Sequence, residues 1–363
     1  MDEFFMNLAY QLALTVDGQT SPNPPVGSVI TKNGRVIGIG AHLKAGTEHA
    51  EIHALKSSVE SVNNATIYVT LEPCSHFGKT PPCANAIIEA GITRVVVGAV
   101  DPNPKVSGDG IKVLRENGIQ VDMCTLEDRI ERLYQPFTQF ILKQEPFVLV
   151  KSAITLDGKI ASSSGQSKWI SSSTSRELAH RLRNKCDAIL VGIGTIIADN
   201  PSLTTRLHGG GKNPLRVVID RNLRIPLESK VIQDTERSNT LVVTDIRVED
   251  RKIQQLNSLG VQTIQFDFGE EEWLVKLLKS LAARGIIRLL VEGGQHITTL
   301  FFDKQRVNEI HLFMAPKLIG GKDSYSIIGG EGISIIDSAI RIVDMNIEQC
   351  EEDLYIRGTP VWI

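Results

Sequence analysis

His49, Glu51, Cys74 and Cys83 fall within one short run of the chain, as His-Ala-Glu in HAEIHAL and as the two cysteines of PCSHFGKTPPC. One imidazole and two thiolates are the protein donors of an open tetrahedral zinc site, which keeps its fourth position for water. Zinc shifts the pKa of that water from its bulk value toward about 7 and so yields a nucleophile at neutral pH. A glutamate two residues past the histidine is the type of group that takes the water's proton and passes it on. These residue types at these spacings imply metal-assisted hydrolysis. A structural zinc is the competing reading, because His49 and His53 are four apart, share a helix face and would complete a closed site with Cys74 and Cys83. It leaves Glu51 and the polar run SHFGKTPP without a purpose, and the catalytic reading is preferred.

For these groups to meet, the flanking segments must deliver them to one place. Phe4, Phe5, Leu8, Ala9 and Leu12 lie on one face of a helix over residues 3–15. Two β-branched runs flank Asn33-Gly34, the pair that a type I′ hairpin turn favours. A helix through HAEIHALKSSV is expected to be capped by Thr47, with Glu48 in its first turn, which puts His49 and Glu51 at its start. ATIYVTLEPC reads as a buried strand with Cys74 at its C-terminal end, and Cys83 opens a helix behind two prolines. A further strand, a helix and a strand follow, then a closing helix over TLEDRIERLYQPFTQFILKQ, broken or kinked near Pro136. At 363 residues and roughly 150 per domain, two domains are expected. The seam at Gln144-Glu145-Pro146 gives 1–145 and 146–363.

The second half alternates strands (FVLVKSAITLDGKIA, DAILVGIG, LRVVID, TLVVTD, VQTIQFD, IRLLVEGG, EIHLFMAP) with helices such as SSSTSRELAHRLRNKC and EEWLVKLLKSLAARG, so it reads as a separate α/β domain. Two glycine patterns there invite a phosphate. Gly192 and Gly194 in VGIGTIIAD lack the third glycine of a dinucleotide fingerprint, where Ile197 stands. Gly293-Gly294, between a strand and a helix, is the stronger candidate because it offers free backbone N–H groups, with structural glycines at a tight turn as the lesser alternative.

Composition narrows the function classes. A net charge of −3 supplies no field for nucleic acid, and 42% hydrophobic content without a long apolar run excludes a membrane span. Five cysteines, irregularly placed, form no disulfide framework, and Cys124, Cys186 and Cys350 are expected to be packing residues. Acidic residues at the N-terminus argue against export. A cytoplasmic enzyme with a small-molecule substrate is expected.

HAE followed by Pro-Cys matches the H-x-E…P-C-x-x-C pattern of zinc nucleobase deaminases, except that Cys83 stands nine positions after Cys74 instead of three. With HAEIHA, PCSHFGKTPPC, DPNP, SAITLDGKIA and VEGG in that order, the chain resembles the bifunctional riboflavin biosynthesis deaminase-reductases along almost its whole length. The resemblance implies a cytidine-deaminase-like three-layer domain followed by a dihydrofolate-reductase-like α/β domain, one zinc ion per chain, NADPH, and a homo-oligomer, dimer or tetramer. It implies deamination of a phosphoribosylamino pyrimidine, then reduction of its ribosyl chain to ribityl. Asn23, His42, His76, Lys79 and Asn103 would line the pyrimidine and phosphoribosyl pocket, although Asn23 and Asn103, beside prolines, also fit plain turns.

For the reductase, the resemblance implies NADPH binding without the dinucleotide fingerprint. Ala153, Trp169, Ser171, Thr195, Asp199 and the run Gly294, Gln295, His296, Ile297, Thr298 would meet the cofactor. Ser167, Arg183, Leu203, Arg206 and Glu292, with Lys151, would hold the phosphorylated sugar. Opening the glycosylamine to an imine creates a cationic centre, for which Asp199 is the candidate stabiliser and Lys151 its acid/base partner. Asp199 also fits a cap of the turn before Pro201, and Lys151 a strand end. Arg183 and Arg206 are typed for a bidentate grip on phosphate. Arg221, after LRVVID, is placed to favour the 2′-phosphate of NADPH.

Overall fold

The computed structural model describes residues 1–76, 81–124, 126–234, 236 and 239–363. The chain divides into two units, Met1–Glu145 with Ala282–Ile287, and Pro146–Leu281 with Arg288–Ile363.

The first unit runs α1 (Asp2–Thr15), β1 (Gly27–Lys32), β2 (Arg35–Ala41), α2 (Ala50–Lys56), β3 (Thr66–Val69), α3 (Cys83–Glu89), β4 (Arg94–Val97), α4 (Asp109–Glu116), β5 (Gln120–Met123) and α5 (Glu127–Lys143). Its five strands form one sheet in the order β2-β1-β3-β4-β5, antiparallel at β1 and parallel from β3 onward. Alternation along the strands divides the core into two layers, as period-two side chains require. Val29, Tyr68 and Val96 pack on Phe5, Met6 and Ala9 of α1 and on Ile130 and Leu133 of α5. Ile30, Ile67, Val69 and Val95 pack on Ala54 of α2, Ile87 of α3 and Leu114 of α4. The result is three layers, helices on both faces of the sheet.

Asn33 (φ 50°) and Gly34 (φ 73°) both take the left-handed conformation that the type I′ turn needs. Two close approaches fix the helices against the hairpin: a Cβ on Gly27 would lie 2.0 Å from Ala9 O, and one on Gly40 would lie 2.2 Å from Ala50 O. The structure corrects the expected cap of α2 and the expected break in α5. α2 starts at Ala50 with His49 at its N-cap, while Thr47 Oγ1 turns back to Lys44 O at 2.7 Å. The His42 ring, hydrogen-bonded to Glu48 O, keeps that stretch out of the helix. α5 runs through Pro136 without a break. The apolar face it buries, Ile130, Leu133 and Tyr134, outweighs the one backbone bond that proline removes.

The second unit runs β6 (Phe147–Thr155), β7 (Lys159–Ala161), α6 (Ser173–Lys185), β8 (Ala188–Gly192), α7 (Ile193–Asp199), β9 (Leu215–Ile219), α8 (Lys230–Gln233), β10 (Thr240–Asp245), α9 (Asp250–Ser258), β11 (Gln262–Phe266), α10 (Trp273–Ala283), β12 (Arg288–Val291), α11 (Gln295–Asp303), β13 (Glu309–Ala315), β14 (Tyr325–Ser326), β15 (Arg341–Cys350) and β16 (Asp353–Val361). Nine of these strands form a sheet in the order β11-β10-β9-β8-β12-β6-β13-β16-β15. The strands from β11 to β13 are parallel, and β16 and β15 close the edge antiparallel. Every residue of β8 and β10 is buried, the near-continuous apolar run expected of strands covered on both faces. The chain walks outward from β8 to β11 and then returns to insert β12 between β8 and β6. Ligand sites of open α/β sheets lie at the carboxyl ends of strands beside such a reversal. Among the described residues, no helix is long and apolar enough to cross a membrane.

Candidate functional site

In the first unit the sheet and two helix starts bring three donors together. His49 stands at the N-cap position of α2, Cys74 lies beyond β3, which ends at Val69 and does not run to the cysteine as expected, and Cys83 opens α3. Their ligand atoms all lie within 4.8 Å of one another. His49 Nδ1 is 3.6 Å from Cys74 Sγ and 3.3 Å from Cys83 Sγ. Tetrahedral zinc with Zn–N of about 2.1 Å and Zn–S of about 2.3 Å has donor–donor edges of about 3.6 Å, so the donor set fits that metal. The Cys83 thiol and the His49 ring hold the Cys74 thiol well below the usual thiol range against the opposing effect of burial. The Cys83 N–H also donates to Cys74 Sγ at 3.3 Å. His53 stands outside the cluster, its Nε2 buried without a hydrogen-bond partner, which removes the four-ligand structural site.

Glu51 sits in the first turn of α2, 3% exposed, with its Oε2 buried and without a hydrogen-bond partner. Burial pushes its carboxyl up to about 7, opposed by its own backbone N–H and the charge of His49. A carboxyl in that range both accepts and returns a proton near neutral pH. His49, Cys74 and Glu51 open onto a cleft of about 740 Å³ that is also lined by Asn23, His42, His76 and Asn103. His42 is locked: its Nδ1 donates to Glu48 O at 3.0 Å, so its Nε2 accepts from Asn23 Nδ2 at 3.0 Å. Burial holds that ring below its ordinary pKa, in keeping with a neutral tautomer. Phe137 and Phe140 of α5 form an apolar wall that the sequence motifs did not signal.

In the second unit a buried charge cluster forms where β6, β12 and α6 meet. Glu292, one residue past β12, takes a bidentate pair from Arg183 of α6 (2.7 and 2.8 Å) and lies 3.6 Å from Lys151 Nζ of β6. Burial alone would raise the Glu292 carboxyl, yet Arg183 and Lys151 hold it at about 2. Arg183 also donates to Thr204 O at 3.1 Å, tying in the loop with Leu203, which is buried at φ 53°. Arg206 is joined to the same face of α6 through His180, whose Nδ1 accepts the Arg206 N–H at 3.3 Å. Burial and the neighbouring arginines lower the His180 ring to about 4, so it stays neutral there. His180 is a member that the sequence reading missed; its spacing of three from Arg183 on one helix was the available signal.

The N-terminus of α11 carries no side-chain cap, and a Cβ on its N-cap Gly294 would have open space. Exposed N–H groups at a helix start suit a phosphate, so the segment fits a phosphorylated cofactor. A family described as the RibD C-terminal domain matches residues 146–356, and one described as the cytidine and deoxycytidylate deaminase zinc-binding region matches 1–99. The riboflavin biosynthesis protein RibD of Aquifex aeolicus is 42% identical over 98% of this chain and 98% of its own. The chain belongs to the RibD family. The Bacillus amyloliquefaciens RibD protein is 40% identical over 99% of this chain and 96% of its own. Two solved structures align over 99% of both chains: Acinetobacter baumannii RibD (35% identity, TM-score 0.89) and a Thermotoga maritima diaminohydroxyphosphoribosylaminopyrimidine deaminase/5-amino-6-(5-phosphoribosylamino)uracil reductase (36%, 0.86). As a RibD-family chain it is a bifunctional enzyme of riboflavin biosynthesis, a zinc-binding deaminase followed by an NADPH-dependent reductase.

Against this RibD background, several expected residues take places other than those foreseen. Lys79 lies outside the described residues. Arg183, expected to fork a phosphate, has its fork engaged by Glu292. Asp199 lies 4.0 Å from Lys168, and Lys151 lies 3.6 Å from Glu292. Ile297 is a packing residue, filling the space that a Cβ on Gly192 or Gly293 would need. Thr298 is buried, its hydroxyl 3.5 Å from Gly293 O, which leaves Gly294 and His296 as the exposed part of that run. Trp169 is 67% exposed with the Arg176 guanidinium 4.7 Å from its ring centre, and Ser167 and Ser171 flank it. Ala153 lies on β6 and Thr195 on α7. Arg221 lies 3.6 Å from Asp245, at the carboxyl end of the parallel strands.

Proposed function

We propose that the first unit hydrolytically removes the 2-amino group of 2,5-diamino-6-(5-phosphoribosylamino)pyrimidin-4(3H)-one, and that the second reduces the ribosyl chain of the resulting aminouracil to ribityl. The observation that carries this reading is the buried Glu51 carboxyl, its Oε2 without a hydrogen-bond partner, beside three converging zinc donors, in a chain that continues into a reductase. His49, Cys74 and Cys83 would hold a zinc ion, which would supply an acidified water to the cleft. Glu51 takes the water's first proton on Oε2 and gives it to the pyrimidine ring nitrogen, then takes the proton of the hydroxyl added at the ring carbon and passes it to the amine, which departs as ammonia. Asn23 and His42, fixed to each other, present hydrogen-bonding groups to the heterocycle's edge, and Phe137 and Phe140 exclude water from its face.

In the second unit NADPH supplies the reducing equivalents, held by Gly294, His296, Thr195, Ala153, Ser171 and Trp169. Lys151, oriented by Glu292, delivers a proton from Nζ to the sugar ring oxygen as the glycosylamine opens. Asp199 faces the cation that forms, and Arg206 and Ser167 hold the 5′-phosphate. The domains divide at 145/146, and the enzyme works in the cytoplasm, in keeping with its composition, and as a homo-oligomer, as its resemblance to the family implies. Glu51→Gln tests the deaminase half. Ammonia release is expected to fall about 10²- to 10⁴-fold, with zinc content unchanged and reduction of the deaminated product retained. Undiminished ammonia release would overturn the role of Glu51.

A further inference from the structure

Glu72 has no place in the chemistry above, yet its buried carboxylate is among the most heavily hydrogen-bonded groups of the first unit. Oε2 accepts from the N–H groups of Asp101 (3.1 Å) and Gly108 (2.9 Å), and Oε1 from those of Gly110 (2.8 Å) and Ile111 (3.2 Å). Its own N–H donates to Ala99 O at 2.8 Å. Three of these donors belong to the start of α4, where a carboxylate also meets the positive end of the helix. The fourth, Asp101, lies at the far end of the preceding loop, and a helix cap alone has no need of it. The loop is thus clasped shut. A Cβ on Gly110 would lie 1.9 Å from Pro73 O, so α4 is pressed onto the backbone that joins Glu72 to Cys74. Asn103, which lines the cleft, sits inside the clasped loop with its N–H on Asp101 Oδ1 at 2.8 Å.

We propose that Glu72 is a positioning residue for deamination: through backbone N–H groups at both ends of the 101–110 loop, it sets Asn103 relative to the strand end that delivers Cys74. One carboxylate thereby keeps the substrate-reading wall in register with the metal-binding wall. The inference rests on the deaminase assignment of the cleft.

Glu72→Gln preserves volume but replaces an acceptor by an NH₂ group that faces N–H donors. Loss of charge-assisted bonds predicts a rise in KM for ammonia release of about tenfold or more, with kcat and zinc content unchanged. Reductase turnover by the same chain is the internal control and stays constant. Amide hydrogen exchange at Asp101, Gly108, Gly110 and Ile111 accelerates. In an Asn103→Ala background the same substitution adds little to KM, because both act on one contact. Glu72→Asp, which keeps the charge, reads the same quantities if the glutamine variant does not fold. Unchanged KM, additive effects with Asn103→Ala, or a fall in kcat that tracks zinc loss would each overturn the proposal. If the unaltered enzyme released no ammonia, the assignment of the cleft would fail, while the exchange data would still report whether the clasp holds the loop.

Discussion

Replacing Glu292 by glutamine removes one charge from a buried set of four groups and leaves the volume unchanged, so cavity formation does not enter the result. The carboxylate, 9% exposed, faces Arg183 at 2.7 Å and Lys151 at 3.6 Å, with His180 nearby and neutral. Two routes give its contribution. Coulomb's law at an effective dielectric constant of about 20 assigns the Lys151 pair alone about 4.6 kcal/mol before desolvation is subtracted. The carboxyl is held at about 2 where 4.5 is ordinary, which at 1.36 kcal/mol per pH unit is about 3.4 kcal/mol of net stabilisation. Both agree with the cost of about 3–5 kcal/mol for breaking a buried ion pair by removing one partner. The folded carboxyl is more acidic than the unfolded one, so its stabilisation is complete above pH 4.5 and is lost as the pH falls toward 2. The difference between wild type and Glu292→Gln is therefore expected to be about 3.4 kcal/mol at pH 7 and about 1.4 kcal/mol at pH 3. Urea unfolding followed by tryptophan fluorescence measures it in the right unit, since the three tryptophans, Trp169, Trp273 and Trp362, all lie in the second. A difference below about 1 kcal/mol at pH 7, the size of an exposed pair, or one that does not shrink on acidification, would refute this reasoning.

Three further outcomes are expected. Gly27→Ala drives a Cβ against Ala9 O, a backbone atom that cannot turn aside, and should destabilise the first unit by about 1–3 kcal/mol or more; thermal loss of zinc and of ammonia release should come at lower temperature, with the tryptophan signal unchanged. Asp353→Ala removes the acceptor of Ser172 N–H (2.7 Å) and Ser175 Oγ–H (2.6 Å) at the start of α6. A cost of about 1–3 kcal/mol is expected from the unpaired donors, together with a raised KM for NADPH because Trp169 and Ser171 lie just before that anchor. Arg221→Ala should reduce the preference for NADPH over NADH by about tenfold, the worth of one charge-assisted phosphate contact; an unchanged ratio would remove Arg221 from the cofactor site.

The deaminase centre was legible because its donors are close in sequence and two of them, His49 and Cys83, stand at helix starts, although the strand expected to run to Cys74 ends at Val69. Even so, Thr47 was read as the helix cap that His49 provides, since the His42–Glu48 contact that holds the chain extended is tertiary. The reductase cluster was less legible. Lys151, Arg183 and Glu292 come from three elements that meet only after the sheet has been threaded out and back, and their mutual pairing left no periodic trace. Arg183 looked like a phosphate ligand because residue type alone cannot say that a buried glutamate fills its fork. Glu72 and Asp353 went unnoticed for another reason: their partners include backbone N–H groups, which every residue but proline carries, so no pattern of side-chain types betrays them.

The most direct test of the account incubates the purified protein with 2,5-diamino-6-(5-phosphoribosylamino)pyrimidin-4(3H)-one, with and without NADPH, following ammonia and NADPH oxidation separately. One ammonia per substrate is expected in both cases, and NADPH oxidation only after ammonia has appeared. NADPH oxidation without ammonia release, or release of no ammonia by the zinc-loaded protein, would contradict it.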